Sequence, residues 1–148
     1  MSISHPGASI PGVFTFTIPY TDSAFIVAST TANRTLLTLP AGGKILGVTI
    51  KHSTAFAGTA VSAVTISVGD TNSTFDQYAS AFDIFQATGA TTYQDSSEFK
   101  STTSVSSTVS AHFIANTNFG SGAATVLTQG SVDISVCWVG TPTAVALP

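Results

Sequence analysis

The stretch Gly130-Ser131-Val132-Asp133-Ile134-Ser135-Val136-Cys137-Trp138-Val139-Gly140 decides the fold class. Its apolar residues Val132, Ile134, Val136 and Trp138 alternate with Asp133, Ser135 and Cys137. A period of two puts the first set on one face of an extended strand and the second on the other. Glycines bracket the run, where turns and close backbone approaches are expected. The same alternation recurs upstream. Phe14, Phe16 and Ile18 oppose Thr15 and Thr17, and Leu46, Val48 and Ile50 oppose Thr49 and Lys51. Val64, Ile66 and Val68 oppose Thr65 and Ser67, while Val105, Val109, Ala111 and Phe113 oppose Ser106, Thr108 and Ser110. Each pattern predicts a half-buried antiparallel strand.

Apolar segments near 24–30, 35–39 and 123–127 bring the total to about eight strands. The expected architecture is therefore all-β: a single jelly-roll-like antiparallel β-sandwich over residues 12–148. Turn chemistry separates the strands at Pro19–Asp22, Pro40–Gly43, Gly69–Asn72 and Asn118–Gly122. One segment departs from the pattern. Phe75, Tyr78, Ala79 and Phe82 follow the i, i+3, i+4, i+7 spacing of an amphipathic helix, with Thr74 and Gln77 placed as a capping box, which predicts one short helix there. Residues 1–11 (MSISHPGASIP) have no apolar periodicity and read as an extended N-terminal arm. The polar, Ser/Thr-rich stretch 88–107 exceeds an ordinary connection and is expected to be a projecting loop or a β-excursion. The arm and this stretch are the first candidates for protein contacts, through Ile3, His5, Ile10, Tyr93 and Phe99.

Composition narrows the function. Of 148 residues, 7% are charged, against about 25% in an ordinary soluble domain. With 43% hydrophobic residues and a net charge of −3, the chain is not of the disordered type. Roughly three residues in ten are serine or threonine, so the outward strand positions are hydroxylated rather than ionised. Arg34, Lys44, Lys51 and Lys100 are scattered singly and form no basic stripe, so a direct nucleic-acid partner is not expected. The apolar runs fall short of the ~20 residues of a membrane helix, and Met1–Pro11 lacks the regions of a signal peptide. No membrane partner is expected. A single cysteine, Cys137, rules out an internal disulfide.

No catalytic constellation emerges. His5, His52 and His112 are far apart in sequence and share no metal-ligand spacing. The G-x-S-x-G nucleophile motif is absent. Cys137 has no neighbouring base to activate it. Asp70, Asn72, Thr74 and Asp76 set oxygen-bearing side chains at positions 1, 3, 5 and 7 of a calcium-loop pattern. The pattern lacks the glycine at position six and the glutamate at position twelve, and an Asx turn accounts for the same residues. The chain is expected to be no enzyme and to hold no cofactor.

The stretch LPAGGKILGVTIKHSTAF (39–56), followed by AVTISVGDTNSTFDQYASAFDIFQATG (63–89) and by GSVDISVCWVG, resembles small structural proteins of tailed phages. The shared features are Leu39-Pro40-Ala41-Gly42, Thr54-Ala55-Phe56, Val68-Gly69-Asp70, the Asp76-x-Tyr78 turn and the final alternating strand. The resemblance implies a head-decoration (cement) protein or a tail component. It also implies a homo-oligomer, expected to be a trimer on local threefold axes of a shell, whose partner is the major capsid protein. On that reading the chain belongs to the virion and is assembled in the host cytoplasm. A further reading is a tail or adhesion module that recognises a host glycan, with Tyr20, Tyr93 and Trp138 as the available ring platforms.

Overall fold

The computed structural model describes residues 11–70, 75–85, 92–95, 100–101, 106–140 and 143–144. The strands are β1 (Gly12–Pro19), β2 (Thr31–Leu39), β3 (Lys44–Gly58), β4 (Val64–Asp70) and β5 (Ala79–Asp83) in the first half. They continue as β6 (Thr92–Asp95), β7 (Lys100–Ser101), β8 (Ser107–Ala115), β9 (Leu127–Val139) and β10 (Thr143–Ala144). One sheet has the order β1-β9-β3-β6, with β7 also on β3, and the other β10-β2-β8-β4-β5. β6 and β7 lie against successive parts of β3 and are counted together as one strand position. Counted so, and with the two-residue β10 set aside, eight strand positions run 1-8-3-6 in one sheet and 2-7-4-5 in the other, the double Greek key of a jelly roll.

The quoted run lies inside β9, which pairs with β1 without a register break from Gly12↔Trp138 to Pro19↔Ser131. On its other side β9 pairs with β3, where Val48↔Val136 and Ile50↔Ile134 stay in phase. The alternation fills the core. Phe16, Ile18, Val48, Ile50, Val132, Ile134 and Val136 point inward from this sheet, against Leu39, Val64, Ile66, Val68, Val109, Ala111 and Phe113 of the other. One expected inward residue is displaced. A bulge between Ile45 and Gly47 puts Ile45 in the core, 1% exposed, and leaves Leu46 half-buried.

The helix expected over 75–82 is not formed. Tyr78 donates its N–H to the Val68 carbonyl (2.9 Å), and residues 79–83 are the edge strand β5. The helical spacing has a local cause. Ile66 pairs with Phe82 and Val68 with Ala79, so β5 spends three residues where β4 spends two. That extra residue breaks the period-2 pattern and leaves apolar residues three apart, as on a helix. The short helix is elsewhere, a 3-10 turn at Ser23–Ile26 in the segment read as a strand near 24–30. Asp22 caps it by accepting from the Ala24 N–H (2.8 Å). The stretch 123–127 likewise contributes only Leu127 to a named strand. Within 88–107, the described residues include β6 and β7, which form an edge of the first sheet.

Phe25, carried by that 3-10 turn, closes one end of the core. Its ring meets Phe113 (4.9 Å), Phe119 (5.2 Å) and Phe56 (5.7 Å). Phe56 in turn lies flat on Gly130, whose φ is +140°, and a Cβ there would sit 2.4 Å from the ring. Gly130 is therefore required twice over, by conformation and by contact. Gly130→Ala is expected to cost about 3 kcal/mol or more of folding stability, read as a lowered midpoint in urea unfolding with unchanged slope.

Candidate assembly surfaces and buried polar groups

The outer face of the first sheet is hydroxylated and nearly neutral. Thr15 and Ser135 share a hydrogen bond (2.9 Å) across the β1–β9 pair, and Thr17 donates to Asp133 (2.6 Å). Lys51 stands in register with Asp133, and Lys44, at the start of β3, is a second exposed cation of this sheet. Val13, 60% exposed, extends the face toward the N-terminal end of β1. Cys137 lies half-buried on the same face.

The outer face of the second sheet carries an aromatic patch. Phe75, 40% exposed, stacks on the His112 ring at 4.3 Å, and His112 Nδ1 is hydrogen-bonded to Asn33. Ile114, 46% exposed, follows two residues on along β8. Ser67, the β4 residue in register with His112, is buried.

Several charged groups are used internally. Asp22, 5% exposed, forms an ion pair with Arg34 (3.4 Å) and so joins the capped turn to β2. Asp70 is buried at the end of β4, where the Ser107 hydroxyl donates to its carboxylate. Tyr78 is buried beside them. Burial raises its pKa, the Ser107 hydroxyl lowers it in part and the Asp70 charge raises it again. The surface is thus even poorer in charge than the composition suggests.

The sequence-predicted residues fall into three groups. Ile3, His5, Ile10, Phe99, Asn72 and Thr74 lie outside the described residues. Tyr93 is in β6, paired through its backbone with Ile50, but its side chain is outside the description. Asp70 and Asp76 are in different surroundings, the first buried against Ser107 and the second exposed. Among the described residues no three His, Cys, Asp or Glu side chains come together as a metal-holding group. His52 points inward from β3, 5% exposed, with its ring 5.9 Å from that of Phe82. Of the ring platforms considered for a glycan, Trp138 packs against Phe14 (5.4 Å) and over Gly12, and Tyr20 is packed against the core. Both are partly buried.

The geometry defines a jelly-roll module with two broad, weakly charged outer faces. No protein-family model and no curated protein matches the chain. Among solved structures it is similar to a chain of the cyanophage Pam1 capsid asymmetric unit, with a TM-score of 0.61 and 22% identity over 95% of this chain and 93% of that one. It is also similar to a chain of the acid-stable capsid structure of Helicobacter pylori bacteriophage KHP30, with a TM-score of 0.59 and 16% identity over 93% and 94%. At these identities the likeness establishes the shared fold.

Burial of His112 lowers its pKa below the ordinary 6.5. The neutral ring is then favoured in the folded state, so its contribution is complete above pH 6.5 and is lost as pH falls through the lowered value. Urea midpoints should drop between neutral and mildly acidic pH, and His112→Gln should flatten that part of the pH dependence. Equal slopes in both proteins would refute the assignment.

Proposed function

We propose that the chain is a structural protein of a phage virion, a decoration (cement) protein that binds the major capsid shell and stabilises it. The observation that carries this reading is the likeness to chains of two phage capsids, each covered almost end to end. Both are therefore single domains of about this size, which suits an added subunit better than a shell-forming one with further domains. The faces agree with the role. Hydroxylated and apolar surface with few charges is cheap to desolvate in a large contact.

On this reading the protein acts by contact, without catalysis, cofactor or direct nucleic-acid binding. Three copies are placed around a local threefold axis of the shell. The arm (residues 1–11) and the 88–107 stretch reach the major capsid protein, with Ile3, His5, Ile10, Tyr93 and Phe99 as the contact candidates. Particles assembled in the host cytoplasm without the protein should lose heat resistance and low-salt resistance and regain both when purified protein is added back. Unchanged particle stability, or labelling of the protein on the tail in particle images, would overturn the proposal.

A further inference from the structure

The four sheet edges are not equivalent. In the second sheet, β2 has a bulge between Thr35 and Leu37 and is partly covered by β10, while β5 bears Asp83 and is irregular against β4. In the first sheet, the β6/β7 edge changes register against β3 by two residues between its two parts. Charges, bulges and breaks are the usual protections against edge-to-edge pairing. β1 has none of them. It is eight residues long, uncharged and in unbroken register with β9.

The free side of β1 can be read residue by residue. Tyr20 donates its N–H to the Gly130 carbonyl (2.9 Å), which sets the phase of the ladder. Even-numbered residues of β1 therefore bond to β9, and odd-numbered ones turn their N–H and C=O outward. Pro11 and Pro19 occupy odd positions, where a missing N–H costs no ladder bond. Between them the N–H groups of Val13, Thr15 and Thr17 have no hydrogen bond among the described residues. The two prolines stand four residues either side of Thr15, so the open donors are arranged symmetrically about it.

We propose that β1 is a self-association edge, pairing antiparallel with β1 of a second copy about a two-fold axis at Thr15. Val13 of each copy then faces Thr17 of the other, Thr15 faces its own counterpart, and Pro11 faces Pro19. Every open donor meets a carbonyl, and both proline gaps fall at the ends. The inner residues Phe14, Phe16 and Ile18 continue one apolar row across the axis, and Val13, Thr15 and Thr17 continue the hydroxylated outer face. No charge is brought against a like charge, as the pairing of identical strands requires. The contact is isologous and closes on two copies. It is independent of the capsid reading, and copies already grouped about another axis would be joined through it in pairs.

Sedimentation of the full chain over a concentration series from micromolar to millimolar tests the proposal. The mass of the wild type should rise with concentration, by a factor of two where the species present at low concentration is a monomer. Thr15→Pro removes the central donor without taking a backbone bond from β9, and Thr15→Lys sets two cations against each other. Each should raise the dissociation constant at least about tenfold. Thr15→Val removes only the hydroxyl bond to Ser135 and should associate as the wild type does. Circular dichroism checks that each variant is folded; should the proline variant not fold, the lysine variant decides. A wild type whose mass does not rise, or a folded Thr15→Lys that pairs as tightly as the wild type, would overturn the proposal.

Discussion

The first sheet depends on β9 being hydrogen-bonded on both sides while one of its faces is buried. Val132, Ile134 and Val136 are fully inside, and the strand holds β1 and β3 in register around them. A slip of one residue on either side would turn an apolar row outward and a hydroxylated row inward, so the core itself specifies the register. The demands of the strand extend to its start. Gly130 must adopt a left-handed conformation and leave room for the Phe56 ring, and Phe56 belongs to the aromatic cluster that Phe25 completes. The end of the core is thereby tied to the strand at its centre.

Much of this was legible because alternation is a direct image of a half-buried strand. β1, β4 and β9 follow their predicted faces, as does β8 from Val109 to Phe113, while Val105 lies outside the described residues. Two of the failures share one cause, a bulge that changes the count. In β3 one extra residue moves the inward position from Leu46 to Ile45, and in β5 another turns a strand into an apparent helix. Phe25 escaped because its burial comes from a capped 3-10 turn, whose short period leaves no repeat to detect. The open edge of β1 was invisible for a different reason. Whether an edge is free depends on strand order, which local pattern does not carry, although Pro11 and Pro19 at positions of equal parity were a signal in plain view.

Scarcity of charge gains meaning once the charges are placed. Asp22 and Arg34 satisfy each other, and Asp70 is held by Ser107, so these groups serve the fold and are withdrawn from the surface. Lys44, Lys51, Asp76, Asp83 and Asp133 are what the described surface retains, and Lys51 and Asp133 stand side by side. Such faces cannot steer a partner over long distances, which needs a field of one sign. Recognition has to come from shape, backbone pairing and hydroxyl contacts at short range.

That restriction has a physical counterpart. Contacts between exposed charges weaken as salt shortens the Debye length, about 10 Å at 0.1 M, whereas apolar burial and backbone hydrogen bonds between strands are little affected. Carboxylates in an interface also tie it to pH. A subunit whose faces are threonine, serine and a few apolar side chains makes contacts that hold their strength across changes of medium. On the proposed reading, a particle leaves one host and meets another through solutions of differing salt and acidity. A nearly uncharged jelly roll suits such a particle because the forces that attach it do not depend on the ions around it.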